Sequence, residues 1–197
     1  MERPKIILIG GGGHCRSCID VIETENIFDI FGILDLIENI GKKIFDYPII
    51  GSDEDIPKFV QEKFNFLITL GHIKSNEARV RIFNLLKKMN AKMPVIISPY
   101  AYVSEHSQIS EGTIIMHHAL INANSIIGAN CIINSKALIE HDCEIGDHCH
   151  VAPGAILNGN VKVGGGSFIG SGSVTIQGIN IKENSFIRAN SLSRKNI

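Results

Sequence analysis

From Val103 onward the chain repeats every six residues. Val103, Ile109, Ile115, Ile121, Ile127, Ile133, Ile139, Ile145, Val151, Leu157, Val163, Ile169, Thr175, Ile181 and Ile187 form one series, aliphatic at fourteen of fifteen positions. Four residues after each stands a second series: Ser107, Thr113, Ala119, Ser125, Cys131, Ala137, Cys143, Cys149, Ala155, Val161, Ser167, Ser173, Ile179, Ser185 and Ser191. Thirteen of these are no larger than threonine, Val161 and Ile179 being the exceptions. A helix cannot hold a period of six. A parallel β-helix can, because each hexad supplies one short strand and one corner. Three hexads close a triangular coil of 18 residues, with the aliphatic residue inside the prism and the small residue where the chain turns. Fifteen hexads give five coils, a prism roughly 24 Å tall at ~4.8 Å between paired strands. The register runs without an insertion, so no long loop interrupts the prism.

Before residue 98 the pattern is different. KIILIG (5–10), IFGILD (30–35), FNFLITLG (64–71) and PVIIS (94–98) read as buried strands. Between them, residues 14–26 read as a helix with Cys18, Ile19 and Ile22 on one face. After YPIIG, Ser52 is a candidate N-cap for a helix to about Glu62. Residues 75–90 carry an apolar stripe of Ala78, Ile82, Leu85, Leu86 and Met89. Strands alternating with helices imply a small parallel sheet with helices on its faces. Two domains are expected: a Rossmann-like α/β domain at 1–98 and a β-helix at 99–197.

Net charge is −1, which argues against a long nucleic-acid surface. No apolar run reaches the ~18 residues of a membrane span. MERPKIILIGGGGH leads directly into a strand, without the apolar core and cleavage site of a signal peptide, so a cytoplasmic location is expected. Five cysteines without a small-scaffold spacing are expected to be reduced thiols.

IEHDCEIGDHCHVAPGAILNG (139–159) concentrates three histidines and two cysteines and could be read as a zinc site. The six-residue register separates them. Cys131, Cys143 and Cys149 fall on the small-residue series and are expected to be buried packing residues. His141, His148 and His150 lie off both series and are free to face outward. Zinc ligands would then have to come from several coils, with His106, His117 and His118 well before the others. No metal is expected, and a zinc-binding protein of the γ-carbonic-anhydrase kind is the alternative from another class.

The N-terminal glycines form only part of a dinucleotide fingerprint. Gly10-x-Gly12 lacks the third glycine, its place taken by Cys15, and the shifted frame from Gly11 ends on Arg16. What remains is a strand, a glycine turn and a helix N-terminus, which suits phosphate groups.

IILIGGGGHCRSCIDVI, FGILD, LITLGHIKSNEARVRIF and INSKALIEHDCEIGDHCHVAPGAILNGNVKVG together resemble the bacterial sugar O- and N-acetyltransferases. In these enzymes a small nucleotide-binding domain precedes a left-handed β-helix. The resemblance implies direct transfer of an acetyl group from acetyl-CoA, the co-substrate, to a nucleotide-linked amino sugar in surface glycan synthesis. It implies His141 as general base, a role suited to an imidazole at neutral pH. Asp142 would orient the ring, with Glu140 the competing candidate. The N–H of Gly159 would meet the oxyanion. Asn134 would lie near the acceptor amine, and His150, Gly159 and Ser171 near acetyl-CoA. Gly12, Gly13 and His14 would approach the diphosphate, Asp35 the base or ribose, and Gly71 the same edge.

The sequence departs from the resemblance at its end, where FIRANSLSRKNI replaces a G-V-P-A-K-like segment, and at Leu36, where an acid is common. The resemblance also implies a homotrimer. His141 and His150 are nine residues apart, half a coil, so one subunit would struggle to bring both to one acetyl group. Two further alternatives are O-acetylation of a sialic or nonulosonic acid, and a sugar-nucleotide-binding module without catalysis.

Overall fold

The structure, a computed structural model, describes residues 2–73 and 75–197. Its contacts divide the chain into two compact units, Met1–Pro94 and Val95–Ile197, each built by a different rule.

In the first unit, β1 (Lys5–Ile9) is buried from Ile6 to Ile9 and pairs in parallel with β2 (Asp29–Leu34) on one side. On its other side it pairs in parallel with β5 (Asn65–Ile68). An antiparallel edge of β3 (Lys43–Ile44) and β4 (Tyr47–Gly51) completes the sheet, in the order β3-β4-β2-β1-β5. Helix α1 (Gly13–Glu25) buries Cys15, Cys18, Ile19, Val21 and Ile22, one helical face. It stops at Asn26, whose φ of 58° and N–H bond to the Ile22 carbonyl make a left-handed cap. Ser52 caps as expected: its side chain accepts from Glu54 N–H, and Asp55 accepts from Ser52 N–H. The turn Asp53–Asp55 is 3-10, and α2 proper spans Ile56–Gln61.

The buried face of α3 (Glu77–Lys88) is rotated from the expected stripe. Arg79, Ile82, Phe83 and Leu86 are buried, while Ala78 is exposed. The cause is Arg79, only 2% exposed, whose guanidinium donates to the carbonyls of Ile68 (2.8 Å) and Leu70 (2.6 Å). These bonds satisfy carbonyls at and just past the end of β5, which closes at Ile68 instead of running to Gly71. β1 leads to β2 on one side and is flanked by β5 on the other, a point where strand order reverses. In open α/β sheets the crevice beyond the carboxyl ends of such strands is where ligands bind.

The second unit is a left-handed parallel β-helix of two-residue strands. Face 1 runs from Ile96–Ile97 to Phe186–Ile187, face 2 from Tyr102–Val103 to Leu192–Ser193, and face 3 from Gln108–Ile109 to Asn180–Ile181. They hold six, six and five strands. PVIIS is therefore not a fourth strand of the α/β sheet: Ile96–Ile97 pairs with Ile114–Ile115 and opens the prism, and the units divide before Val95 instead of after Ser98. Ile97 and Ala101 extend both sequence series by one hexad, which is why the strand belongs there.

The aliphatic series fills the interior, continuous from Ile115 to Ile187. The small series does more than fit the corners. Thr113, Ser125 and Ser167 each donate a hydroxyl to the carbonyl fifteen residues on: Gly128, Glu140 and Lys182. Cys131, Cys143 and Cys149 are buried and do the same with their thiols, to Gly146, Asn158 and Gly164 at 3.2–3.3 Å. In these slots cysteine replaces serine as an inward donor.

Candidate functional site

The corner after face 2 presents His141 and Asp142. From Gly112 on, the third residue past the inward side chain takes a left-handed conformation, and Asn124, Asp142 and Asn160 occupy that place in successive coils with φ of 59°, 61° and 58°. Asn and Asp are among the few L residues that accept it readily. Asp142 thereby stands beside His141, and its Oδ2 lies 2.7 Å from His141 Nδ1. Its Oδ1 accepts from Asn124 Nδ2 at 2.6 Å. These two contacts, Asn124 first, hold the Asp142 carboxyl below the ordinary carboxylate range. Glu140 is engaged elsewhere, accepting from Asn122 Nδ2 at 2.8 Å.

With Nδ1 on the carboxylate, the ring turns Nε2 toward the next coil. There a Cβ placed on Gly159 would lie 2.7 Å from Cε1 and 2.8 Å from Nε2 of His141. The missing side chain is what lets the ring sit over the backbone at that point. The N–H of Gly159 has no acceptor among the described residues, while its carbonyl accepts from Gly178. His141, Asp142, Asn124 and Asn160 line an open cleft of ≈500 Å³. His141 is half exposed, at 53%. A deprotonated Nε2 beside a free N–H can take a proton and stabilise an anion formed next to it.

Asn134, His150 and Ser171 lie elsewhere on the prism. His150 is on a face 1 strand, between Ile132 and Phe168, and is 7% exposed. Its Nε2 is 3.0 Å from Asn134 Nδ2, and its ring meets Phe168 edge-on at 5.2 Å between centroids. Asn134 begins the corner between faces 1 and 2, where Ser171 stands exposed two coils further on. The sequence-derived residues of the prism thus form two groups, one at the corner after face 2 and the other on face 1 and the corner that follows it. His148 is bonded to Asn130, with 3.0 Å between Nδ1 and Nδ2.

In the first unit the candidate residues meet at the carboxyl edge of the sheet. Gly10, with φ of +105° and Leu70 against its Cβ position, is a glycine that the turn itself requires, and at Gly11 a Cβ would meet the Asp35 carboxylate. Gly12 and Gly13 are not so constrained: a Cβ on either meets nothing within 4 Å. They are the N-cap and first residue of the thirteen-residue helix α1, whose N-terminal dipole end favours an anion. His14 follows, its Nε2 3.4 Å from Cys18 Sγ, and the Gly71 Cβ position lies 3.9 Å from His14 Cβ. Asp35 accepts from Asn39 Nδ2 at 3.1 Å and borders a pocket of ≈380 Å³ with Leu36, Ile37 and Arg81. Asn39 and Asn124 were not anticipated from sequence. Asn124 could have been found: it lies 18 residues, one coil, before Asp142.

Comparison with known proteins agrees with both halves. The PglD N-terminal domain model matches residues 5–86, and the bacterial transferase hexapeptide model, of six repeats, matches residues 124–159. Perosamine N-acetyltransferase from Caulobacter crescentus, solved as a histidine-to-asparagine mutant with CoA and GDP-perosamine, superposes with a TM-score of 0.91. It shares 27% identity over 98% of this chain and 90% of that one. The acetyltransferase domain of PglB from Neisseria gonorrhoeae FA1090, with acetyl coenzyme A, has a TM-score of 0.91 and 26% identity over 100% of this chain and 93% of that one. WeeI from Acinetobacter baumannii AYE shares the fold, with a TM-score of 0.74 and 20% identity over 95% and 94% of the two chains. No curated protein matches the chain.

Proposed function

Since the chain belongs to the bacterial nucleotide-sugar acetyltransferases built on a left-handed hexapeptide β-helix, we propose that it moves the acetyl group of acetyl-CoA onto the amine of a nucleotide-linked amino sugar. The observation that carries this reading is the His141–Asp142 pair, with its Nε2 packed against the bare Cα of Gly159 and its ring bordering an open cleft.

Each step follows from that geometry. Asp142 holds the Nδ1–H tautomer, which leaves the Nε2 lone pair for the proton. The sugar amine attacks the thioester carbonyl, and Nε2 takes the amine proton as the C–N bond forms. The carbonyl oxygen gains the negative charge, which the N–H of Gly159 meets. Collapse breaks the C–S bond, and the imidazolium returns its proton to the departing thiolate. The products are the sugar amide and CoA thiol. No thiol of the protein is needed, in keeping with the inward Cys131, Cys143 and Cys149.

In this reading the first unit holds the acceptor. The N–H groups at Gly12, Gly13 and His14 receive the diphosphate, Asp35 reads the base or ribose, and Gly71 completes the edge. Asn134 serves the amine, and His150 and Ser171 serve acetyl-CoA. Because none of these last three stands at the corner of His141, the site is completed by a second copy, in a homotrimer. The outward residues of face 2 support this: Tyr102, Leu120, Leu138, Ile156, Val174 and Leu192 are all apolar. On face 3 the same positions are Gln108, Ile126, Glu144, Lys162 and Asn180. Among the described residues no helix is long and apolar enough to cross a membrane. We place the enzyme in the cytoplasm, where both substrates are made.

The test is release of CoA thiol from acetyl-CoA with a panel of UDP-, dTDP-, GDP- and CMP-linked sugars. Release is expected with an amino sugar and not with its hydroxyl counterpart. Release with hydroxyl sugars alone would overturn the assignment.

A further inference from the structure

We propose that Asn124 is a positioning residue for the transfer: it locks the Asp142 carboxylate in the one orientation that fixes the His141 tautomer. The proposal rests on the function inferred above and adds a third member to the pair.

Asp142 is half exposed, with 46% of its side chain open to solvent. A carboxylate so placed turns freely about its last torsion unless both oxygens are engaged. Here both are, by two different partners. Oδ2 faces His141 Nδ1 at 2.7 Å, and Oδ1 accepts from Asn124 Nδ2 at 2.6 Å. The amide is in place because Asn124 and Asp142 occupy the same left-handed corner position of adjacent coils, with φ of 59° and 61°. The backbone of the repeat itself therefore sets their spacing. The Asn124 hydrogen bond comes first among the causes that lower the Asp142 carboxyl, the His141 hydrogen bond next, so Asn124 favours the charged carboxylate that the Nδ1–H requires.

Other groups at this corner do not compete for the carboxylate. Glu140 is held by Asn122, and Glu144 is paired with Lys162 at 2.8 Å. Losing the amide leaves the carboxylate free to turn away, and the ring free to present either nitrogen. The damage then falls on the proton transfer and not on substrate binding.

A double-mutant cycle tests this. Asn124→Gly and Asp142→Gly both keep the left-handed turn and remove one side chain each. Each is expected to lower kcat roughly ten-fold, the low end of the range for removing the hydrogen-bond partner of a metal-bound histidine, with KM for both substrates unchanged. In the double variant the Asn124 change adds no further loss, because it acts only through Asp142. Nitrogen NMR of the His141 ring is expected to show the Nδ1-protonated tautomer losing population in Asn124→Gly. Wild-type kcat in Asn124→Gly, or a double variant slower by the product of the two single losses, would overturn the proposal. An active His141→Ala would instead overturn the underlying function, so the two failures are told apart.

Discussion

Gly159→Ala separates the placement of His141 from every other part of the site. The added Cβ would stand 2.7 Å from Cε1 and 2.8 Å from Nε2 of the ring. Unstrained carbon contacts begin near ~3.5 Å, so the ring must retreat by about 0.8 Å. It can do so cheaply, being half exposed, and the backbone at Gly159 is not in the left-handed region that would strain alanine. Stability is therefore expected to change by less than about 1 kcal/mol. Turnover is another matter. The ring leaves its 2.7 Å contact with Asp142, and a displacement of about 1 Å at a reacting group costs on the order of 10²-fold. Alanine keeps the backbone N–H, so the loss reports placement and not oxyanion binding. The assay is steady-state thiol release alongside thermal melting. A kcat lowered about 10²-fold with an unshifted melt is expected. Wild-type kcat would show that the ring position over Gly159 has no part in the reaction.

Three other outcomes are expected. Arg79→Met leaves the carbonyls of Ile68 and Leu70 without their donor and should cost about 2–4 kcal/mol in urea unfolding. Cys143→Ser keeps an inward donor to the Asn158 carbonyl, so both kcat and the unfolding midpoint should stay near wild type. Loss of turnover there would bring back a catalytic thiol. Leu138→Glu puts a charge in the middle of the apolar face 2 and should yield monomers by light scattering, with turnover lost because no second copy is left to complete the site.

What could be read from sequence follows from how each feature is encoded. The prism is a period, so Ile115 to Ile187 announce it directly, and the same register turned Cys131, Cys143 and Cys149 inward. Ile97 obeys that period too, but PVIIS also looks like a buried strand of a parallel sheet, and adjacency to α3 favoured the wrong partner. The face of α3 was misread because a pattern count treats arginine as polar. Arg79 is buried for its donors, which only the strand-end carbonyls explain. The His141–Asp142 contact is between neighbours in sequence and was legible. The Asn124 contact is encoded only in the 18-residue spacing, since it lies one coil away and depends on two left-handed corners stacking. The separation of His141 from His150 was legible as half a coil, and the structure puts His141 at the corner after face 2 and His150 on a face 1 strand.

The most direct measurement is the turnover of His141→Ala with acetyl-CoA and the amino sugar that the wild-type enzyme accepts. Removing a general base should lower kcat by ~10²–10⁴, with the fold and nucleotide-sugar binding kept. Wild-type turnover in that variant would contradict the assignment of His141 as the base, and with it the chemistry of this corner of the prism.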